Sequence, residues 1–192
     1  MSGVPPPSTR VWLLTGEPAS GKSTALSKIL LAVRSQGFVP GGVLTREMRS
    51  HGEREGFLIV DISSEESRVL ASVKGIVGPR IGKYRVDLNA LSSISVSALE
   101  KARDSCDLIA CDEVGPMELL SPDFRRAVQK SVVDSSKPSV CIVHKRFEDP
   151  LIEKLRSLPD ASEIELTFEN RDEIAEDLAN DIIEALKQRQ RK

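Results

Sequence analysis

The chain is poor in aromatic residues, histidine and cysteine, and it has no long hydrophobic run. Aromatics are 4% of its 192 residues, which argues against the base-stacking surfaces of single-strand nucleic-acid binders. Lys and Arg number 27 against 29 Asp and Glu, a net charge of −2, so the basic excess of a nucleic-acid partner is missing too. The apolar runs are short, as in Ile29 to Val33, where a membrane span needs about 20 residues. No membrane partner is expected. The opening MSGVPPPSTR has no apolar signal segment and reads as a short flexible tail over residues 1–9. The three cysteines, Cys106, Cys111 and Cys141, form no CxxC pair. They speak against a disulfide framework or zinc cluster and for a reducing cytoplasm. Two histidines, His51 and His144, are too few for a His-based metal site, leaving oxygen ligands for a hard cation.

What is present is ordinary globular composition, 40% hydrophobic and 29% charged, enough for one domain over residues 10–192. Strand and helix signals alternate. Val11–Thr15 reads as a buried strand, and Leu26, Ile29, Leu30 and Val33 recur at helical spacing before Gly37. Gly41–Thr45 starts another strand. Residues 50–90 read as a β-rich insert at the sheet edge: Gly56–Ile62 and Arg68–Val73 as a hairpin, with Lys83–Leu88 as a third strand. Ser97 with Glu100 predicts a capping box opening a short helix to about Asp104. Leu108–Cys111, Ser139–Val143 and Glu163–Phe168 are strands. Ser121-Pro122 and Asp149-Pro150 open helices. Asn170 is the expected N-cap of a last helix carrying Ile174, Leu178, Ile182 and Leu186 on one face. Strands spaced by helices predict an α/β sandwich on parallel strands.

The segment Gly16-Glu17-Pro18-Ala19-Ser20-Gly21-Lys22-Ser23 fits GxxxxGK[ST], the phosphate-binding P-loop or Walker A motif. Its backbone N–H groups would wrap phosphate oxygens, Lys22 would bring a compact positive charge to the β- and γ-phosphates, and Ser23 would ligate Mg²⁺. The helix that follows adds its positive end. A strand before the motif and a helix after it are the context this chemistry needs.

Leu108-Ile109-Ala110-Cys111-Asp112-Glu113 is an apolar strand ending in two carboxylates, the Walker B pattern. Asp112 would hold the metal, and Glu113 would orient and deprotonate a water. Two basic clusters leave the choice of transition-state cation open. One is Thr45-Arg46-Glu47-Met48-Arg49 with Arg54, equally readable as a solvated turn. The other is Lys145-Arg146, after the strand ending at Val143, a phosphate sensor, a lid or a plain surface loop. Tyr84, Phe168 and Arg171 are candidates for stacking on a base. Cys111, Cys141 and His144 read as structural.

With these motifs in hand, the chain resembles the THEP-type P-loop nucleoside-triphosphatases, the family that includes the cancer-related nucleoside-triphosphatase of animals. The resemblance runs over nearly the whole chain after the tail. It is carried by Gly16–Ser23, Thr45-Arg46-Glu47-Met48-Arg49, Gly52 with Arg54-Glu55-Gly56-Phe57, Gly82-Lys83-Tyr84-Arg85-Val86, Asp112-Glu113-Val114-Gly115-Pro116-Met117-Glu118-Leu119 and Glu169-Asn170-Arg171. It implies a RecA-like three-layer αβα sandwich, a mainly parallel central sheet with an antiparallel edge extension. It implies slow, Mg²⁺-dependent hydrolysis of ATP, GTP, CTP and UTP to diphosphate and phosphate, with water as acceptor. The resemblance favours a functional role for Glu47, Arg49 and Arg54 and makes the two arginines catalytic candidates beside Lys22 and Glu113. Nucleotide contact is then expected from Gly16, Glu17, Pro18, Ala19, Ser20, Gly21, Lys22, Ser23 and Thr24. It is also expected from Leu108, Ile109, Ala110, Cys111, Asp112, Glu113, Val114, Gly115 and Arg171, with Ser23 and Asp112 as metal ligands. Ala19 stands where the family often has Gly, which is harmless if its φ is negative.

Two other readings remain. A nucleoside, nucleotide or small-molecule kinase would use Lys145-Arg146 as its lid and residues 45–57 as its acceptor site, but Glu113 beside Asp112 suits water activation better. A nucleotide-gated interaction protein would use slow hydrolysis as a timer, and no motif names its partner.

Overall fold

The computed structural model describes residues 9–191, so the expected tail lies, Thr9 apart, outside the described residues. Five parallel strands form the centre of one sheet: β1 (Val11–Thr15), β2 (Pro40–Ser50), β7 (Leu108–Val114), β8 (Ser139–Val143) and β9 (Ala161–Glu165), in the order β2-β7-β8-β1-β9. Beyond β2 come β3 (Glu53–Asp61), β4 (Ser67–Ser72), β6 (Tyr84–Val86) and the two-residue β5 (Arg80–Ile81), all antiparallel. The helices are α1 (Lys22–Ser35), α2 (Leu88–Ser105), α3 (Pro122–Val128), α4 (Pro150–Arg156) and α5 (Arg171–Gln190).

The sheet is covered on both faces, which is why β1 and β8 are buried at every position instead of alternating. Trp12 and Leu14 face α1 and α5 in one core. Val11 and Leu13 face α2, α3 and α4 in the other. Each fully buried Leu or Ile contributes about 1.5–3 kcal/mol to holding these layers. This is the expected three-layer sandwich with an antiparallel edge extension. Glycine lets β2 approach β7: Gly42 has φ 108°, and a Cβ there would sit 2.1 Å from the Ala110 carbonyl oxygen.

Several boundaries differ from the sequence reading. Helix α2 starts at Leu88, where Asp87 accepts the Asn89 and Ala90 N–H groups at 2.9 Å, so Ser97 lies mid-helix and caps nothing. Serines at 92, 93, 95 and 97 blurred the periodicity. Ser93 and Ser95 satisfy their hydroxyls on the Ala90 and Leu91 carbonyls inside the helix. Strand β2 runs on to Ser50, because residues 45–50 pair with β3, from Thr45↔Ile59 to Ser50↔Glu53. The charged 45–49 segment is therefore strand, not turn. Strand β9 begins two residues early, at Ala161, set by its pairing with Val11. Asn170 precedes α5 but makes no side-chain cap; its Oδ1 accepts from the Thr167 N–H at 2.8 Å and its Nδ2 donates to the Glu165 carbonyl at 3.1 Å.

Candidate active site

Parallel strands put the C-terminal ends of β1, β7, β8 and β9 at one edge, where ligands of open α/β sheets bind. The loop Gly16–Gly21 leaves β1 there and turns into α1. The start of α1 has no side-chain cap and no acidic residue in its first turn, so its positive end is uncompensated. Thr15 Oγ1 and Ser20 Oγ are buried without a hydrogen-bond partner, an arrangement that costs free energy unless an anion or ion supplies the partner. Lys22 curls over the loop, its Nζ donating to the carbonyls of Gly16 at 3.1 Å and Glu17 at 2.9 Å.

Ala19 departs from expectation. Its φ is 64°, in the left-handed region that costs a residue with a Cβ roughly 1–2 kcal/mol. The condition under which alanine is harmless here is not met.

Ser23 and Asp112 meet across the fold. The Ser23 side chain lies close enough to the Asp112 carboxyl, which is 4% exposed, to favour its charged form. Burial pushes Asp112 up to about 7; Ser23 opposes this, Glu113 adds to it and Lys22 opposes it. On the other side, Thr45 Oγ1 donates to the Asp112 carbonyl at 2.6 Å, tying β2 to β7. Leu108 to Cys111 are wholly buried in β7 and divide between the two cores. The Glu113 carboxyl is raised by burial and held down by Lys22 and His144. It folds over Gly115, where a Cβ would come within 2.6 Å of its Oε1.

Sequence reasoning gave Glu118 no role. It is 6% exposed and is pushed up to about 8, by burial first and the Glu113 charge second, with the nearby backbone of Glu118 and Gly115 opposing. The signal available was its place in the string Pro116-Met117-Glu118-Leu119; its burial depends on the 3₁₀ turn Glu118–Leu120, which no periodicity announces.

The two basic clusters separate. Lys145 Nζ lies 3.0 Å and Arg146 Nη2 2.7 Å from Glu17 Oε1, and Lys145 also pairs with Glu165 at 2.6 Å. These cations hold the Glu17 carboxyl below its ordinary range. The 145–148 loop is pinned at both ends. His144 Nδ1 accepts the N–H groups of Arg146 and Phe147, and Asp149 caps α4 while taking a bidentate pair from Arg125. Arg49 and Arg54 instead share the Glu47 carboxylate, each at 2.7 Å. Arg54 also lies over the rings of Phe57 and Tyr84, so Tyr84, 6% exposed, is packed into the antiparallel extension. The side-chain partners of Arg49 and Arg54 lie on the distal half of β2 and in the antiparallel extension paired with it. Arg171 contacts the loop: a Cβ on Gly21 would meet its Cδ at 2.7 Å.

Among the described residues no group of three or more His, Cys, Asp or Glu is placed to hold a metal. Ser23 and Asp112 supply hard oxygen atoms for a cation that brings further ligands with it. No helix among the described residues is long and apolar enough to cross a membrane.

A family model described as NTPase matches residues 11–179. The nucleoside-triphosphatase THEP1 of Methanosarcina acetivorans is 38% identical over 174 residues, 90% of this chain and 97% of that one. That of Methanosarcina barkeri is 40% identical over 168 residues, 87% and 94% of the two chains. Among solved structures, THEP1 from the hyperthermophile Aquifex aeolicus superposes with TM-score 0.77 at 33% identity, covering 88% of this chain and 96% of that one. A human cancer-related nucleoside triphosphatase gives 0.76 at 29%, covering 90% and 96%. The chain belongs to this nucleoside-triphosphatase family.

Proposed function

We propose that the chain hydrolyses nucleoside triphosphates to diphosphate and phosphate with Mg²⁺, slowly and with broad tolerance of the base (ATP, GTP, CTP, UTP). The observation that carries this reading is the meeting of Lys22, the neighbouring Ser23 and Asp112, and the Glu113 carboxyl at one end of the sheet. The loop N–H groups and the unsatisfied Thr15 and Ser20 hydroxyls receive phosphate oxygens. Lys22 leaves the loop carbonyls for the β- and γ-phosphates. Ser23 and Asp112 hold the metal, which supplies charge neutralisation at the phosphates when bound. Glu113 takes the proton of the attacking water, and a carboxylate raised by burial is a better acceptor than a free one. Of the cations considered, Lys145 and Arg146 have direct contact with the loop in their favour, and Arg49 and Arg54 the family resemblance. A reducing cytoplasm fits the cysteines, which are buried free thiols.

The test is phosphate release from ATP, GTP, CTP and UTP with Mg²⁺, wild type beside Lys22→Ala, with and without a mixture of nucleosides and nucleoside monophosphates. Steady release that the substitution abolishes and the acceptors leave unchanged is the expected result. Negligible phosphate release, with triphosphate consumed only when one acceptor is present and its phosphate transferred to that acceptor, would make the chain a kinase.

A further inference from the structure

We infer that Phe168 and Arg171 form a stacking platform for the nucleobase, one that reads the face of the base and not its edge. The inference rests on the proposed nucleotide chemistry and deepens it.

Position comes first. Strand β9 runs parallel to β1 and leaves the sheet at the same edge as the phosphate loop. The chain just past β9 is fastened to that loop: the Leu166 N–H donates to the Thr15 carbonyl at 2.8 Å, and a Cβ on Gly16 would meet the Leu166 oxygen at 2.3 Å. Phe168 and Arg171 follow within five residues. Arg171 reaches back to Gly21, at the mouth of α1. A nucleotide with its phosphates in the loop therefore has its base end within reach of this turn.

Chemistry comes second. Phe168 is one of few large apolar side chains left in water, 67% exposed. It is held, not loose. The Arg171 guanidinium sits 4.2 Å from its ring centroid, and the turn beneath is closed by reciprocal bonds between Thr167 and Asn170. An aromatic face and a guanidinium plane both stack on any base.

The third observation concerns what the turn does not offer. Apart from Arg171, whose guanidinium lies against the Phe168 ring, the polar side chains of the turn are committed to one another and to backbone. Thr167 Oγ1 accepts the Asn170 N–H, and both ends of the Asn170 amide are used. A hydrogen-bonding edge separates one base from another by large factors, because the wrong base leaves buried polar groups unpaired. A stack makes no such distinction beyond the size of the face. Broad base tolerance, with purines ahead of pyrimidines, follows from this construction.

The experiment is binding and not turnover, so that it stands apart from the test of hydrolysis. Dissociation constants of ADP, GDP, CDP and UDP, and of inorganic pyrophosphate, are measured with Mg²⁺ by calorimetry for wild type, Phe168→Ala, Phe168→Trp and Arg171→Ala. Phe168→Ala should weaken all four nucleotides by about tenfold, purines most, and leave pyrophosphate unchanged. Phe168→Trp should restore binding. Nucleotide constants unchanged in Phe168→Ala would overturn the platform, as would pyrophosphate weakening by the same factor, which would mean a disturbed loop. A protein that binds nucleotides in this pattern yet releases no phosphate would sink the proposed hydrolysis and leave the platform standing.

Discussion

Arg146 Nη2 lies 2.7 Å from Glu17 Oε1, joining the turn after β8 to the phosphate loop across 129 residues of sequence. The same carboxylate oxygen also receives Lys145. The loop's own acid thus occupies two cations at the phosphate loop, and under the proposed function a bound triphosphate would compete with Glu17 for them.

Arg146→Ala is expected to lower kcat at least tenfold, since an arginine placed on the transferring phosphoryl group is worth about 10³–10⁵-fold in related chemistry. Glu17→Gln should act in the opposite sense on binding and lower KM for triphosphates. Its effect should not exceed about fivefold, because exposed ion pairs are weak. Steady-state kinetics on the two variants checks both. Full activity in Arg146→Ala would return attention to Arg49 and Arg54.

Glu113→Gln keeps the size and removes the base. Phosphate release should fall by about 10²–10⁴-fold, while nucleoside diphosphate affinity stays within about twofold of wild type, a smaller change than the loss of one hydrogen bond brings. Parallel calorimetry and phosphate assays separate these effects. Undiminished turnover would remove Glu113 as the base.

Glu118 gives stability a pH dependence of definite sign. Its carboxyl titrates near 4.5 when unfolded and at about 8 in the fold, so between those values the folded chain binds the extra proton. Its contribution to stability is full below pH 4.5 and is lost as pH rises through about 8. Glu118→Gln keeps the size and an acceptor oxygen and cannot ionise. It should be more stable than wild type at about pH 8 by a few kcal/mol, since each pH unit between the two titration points is worth about 1.4 kcal/mol. Its melting temperature should also vary less between about pH 5 and 8. Denaturation across that range is the measurement, and equal slopes in the two proteins would refute the assignment.

Ala19 pays for a left-handed backbone that glycine adopts freely. Ala19→Gly removes about 1–2 kcal/mol of strain and returns about 0.4–1 kcal/mol of freedom to the unfolded chain. Its melting temperature should stay level or rise by up to about 4 °C. Ala19→Val adds a branched side chain at the same φ of 64° and should melt lower than either. A valine variant as stable as wild type would show that the loop relaxes out of this conformation.

The sequence by itself determined the local features. Val11–Thr15, the glycines of the loop and the apolar spacing of α1 specify a strand, a turn and a helix in succession, because each depends on neighbours a few residues away. The apolar run ending at Asp112 and Glu113, and the parallel layout, were legible for the same reason. Only the tertiary structure decided which distant residues meet. The partition of Arg54 to Glu47 and Arg146 to Glu17 follows from strand order, with β2 and β3 separated from β1 by β7 and β8, and β8 lying beside β1. The left-handed φ of Ala19 and the burial of Glu118 are likewise set by how the turns are closed by surrounding elements. So is the turn that carries Phe168 and Arg171 to the mouth of α1, because β9 pairs with β1 in the one register that brings Leu166 onto Thr15.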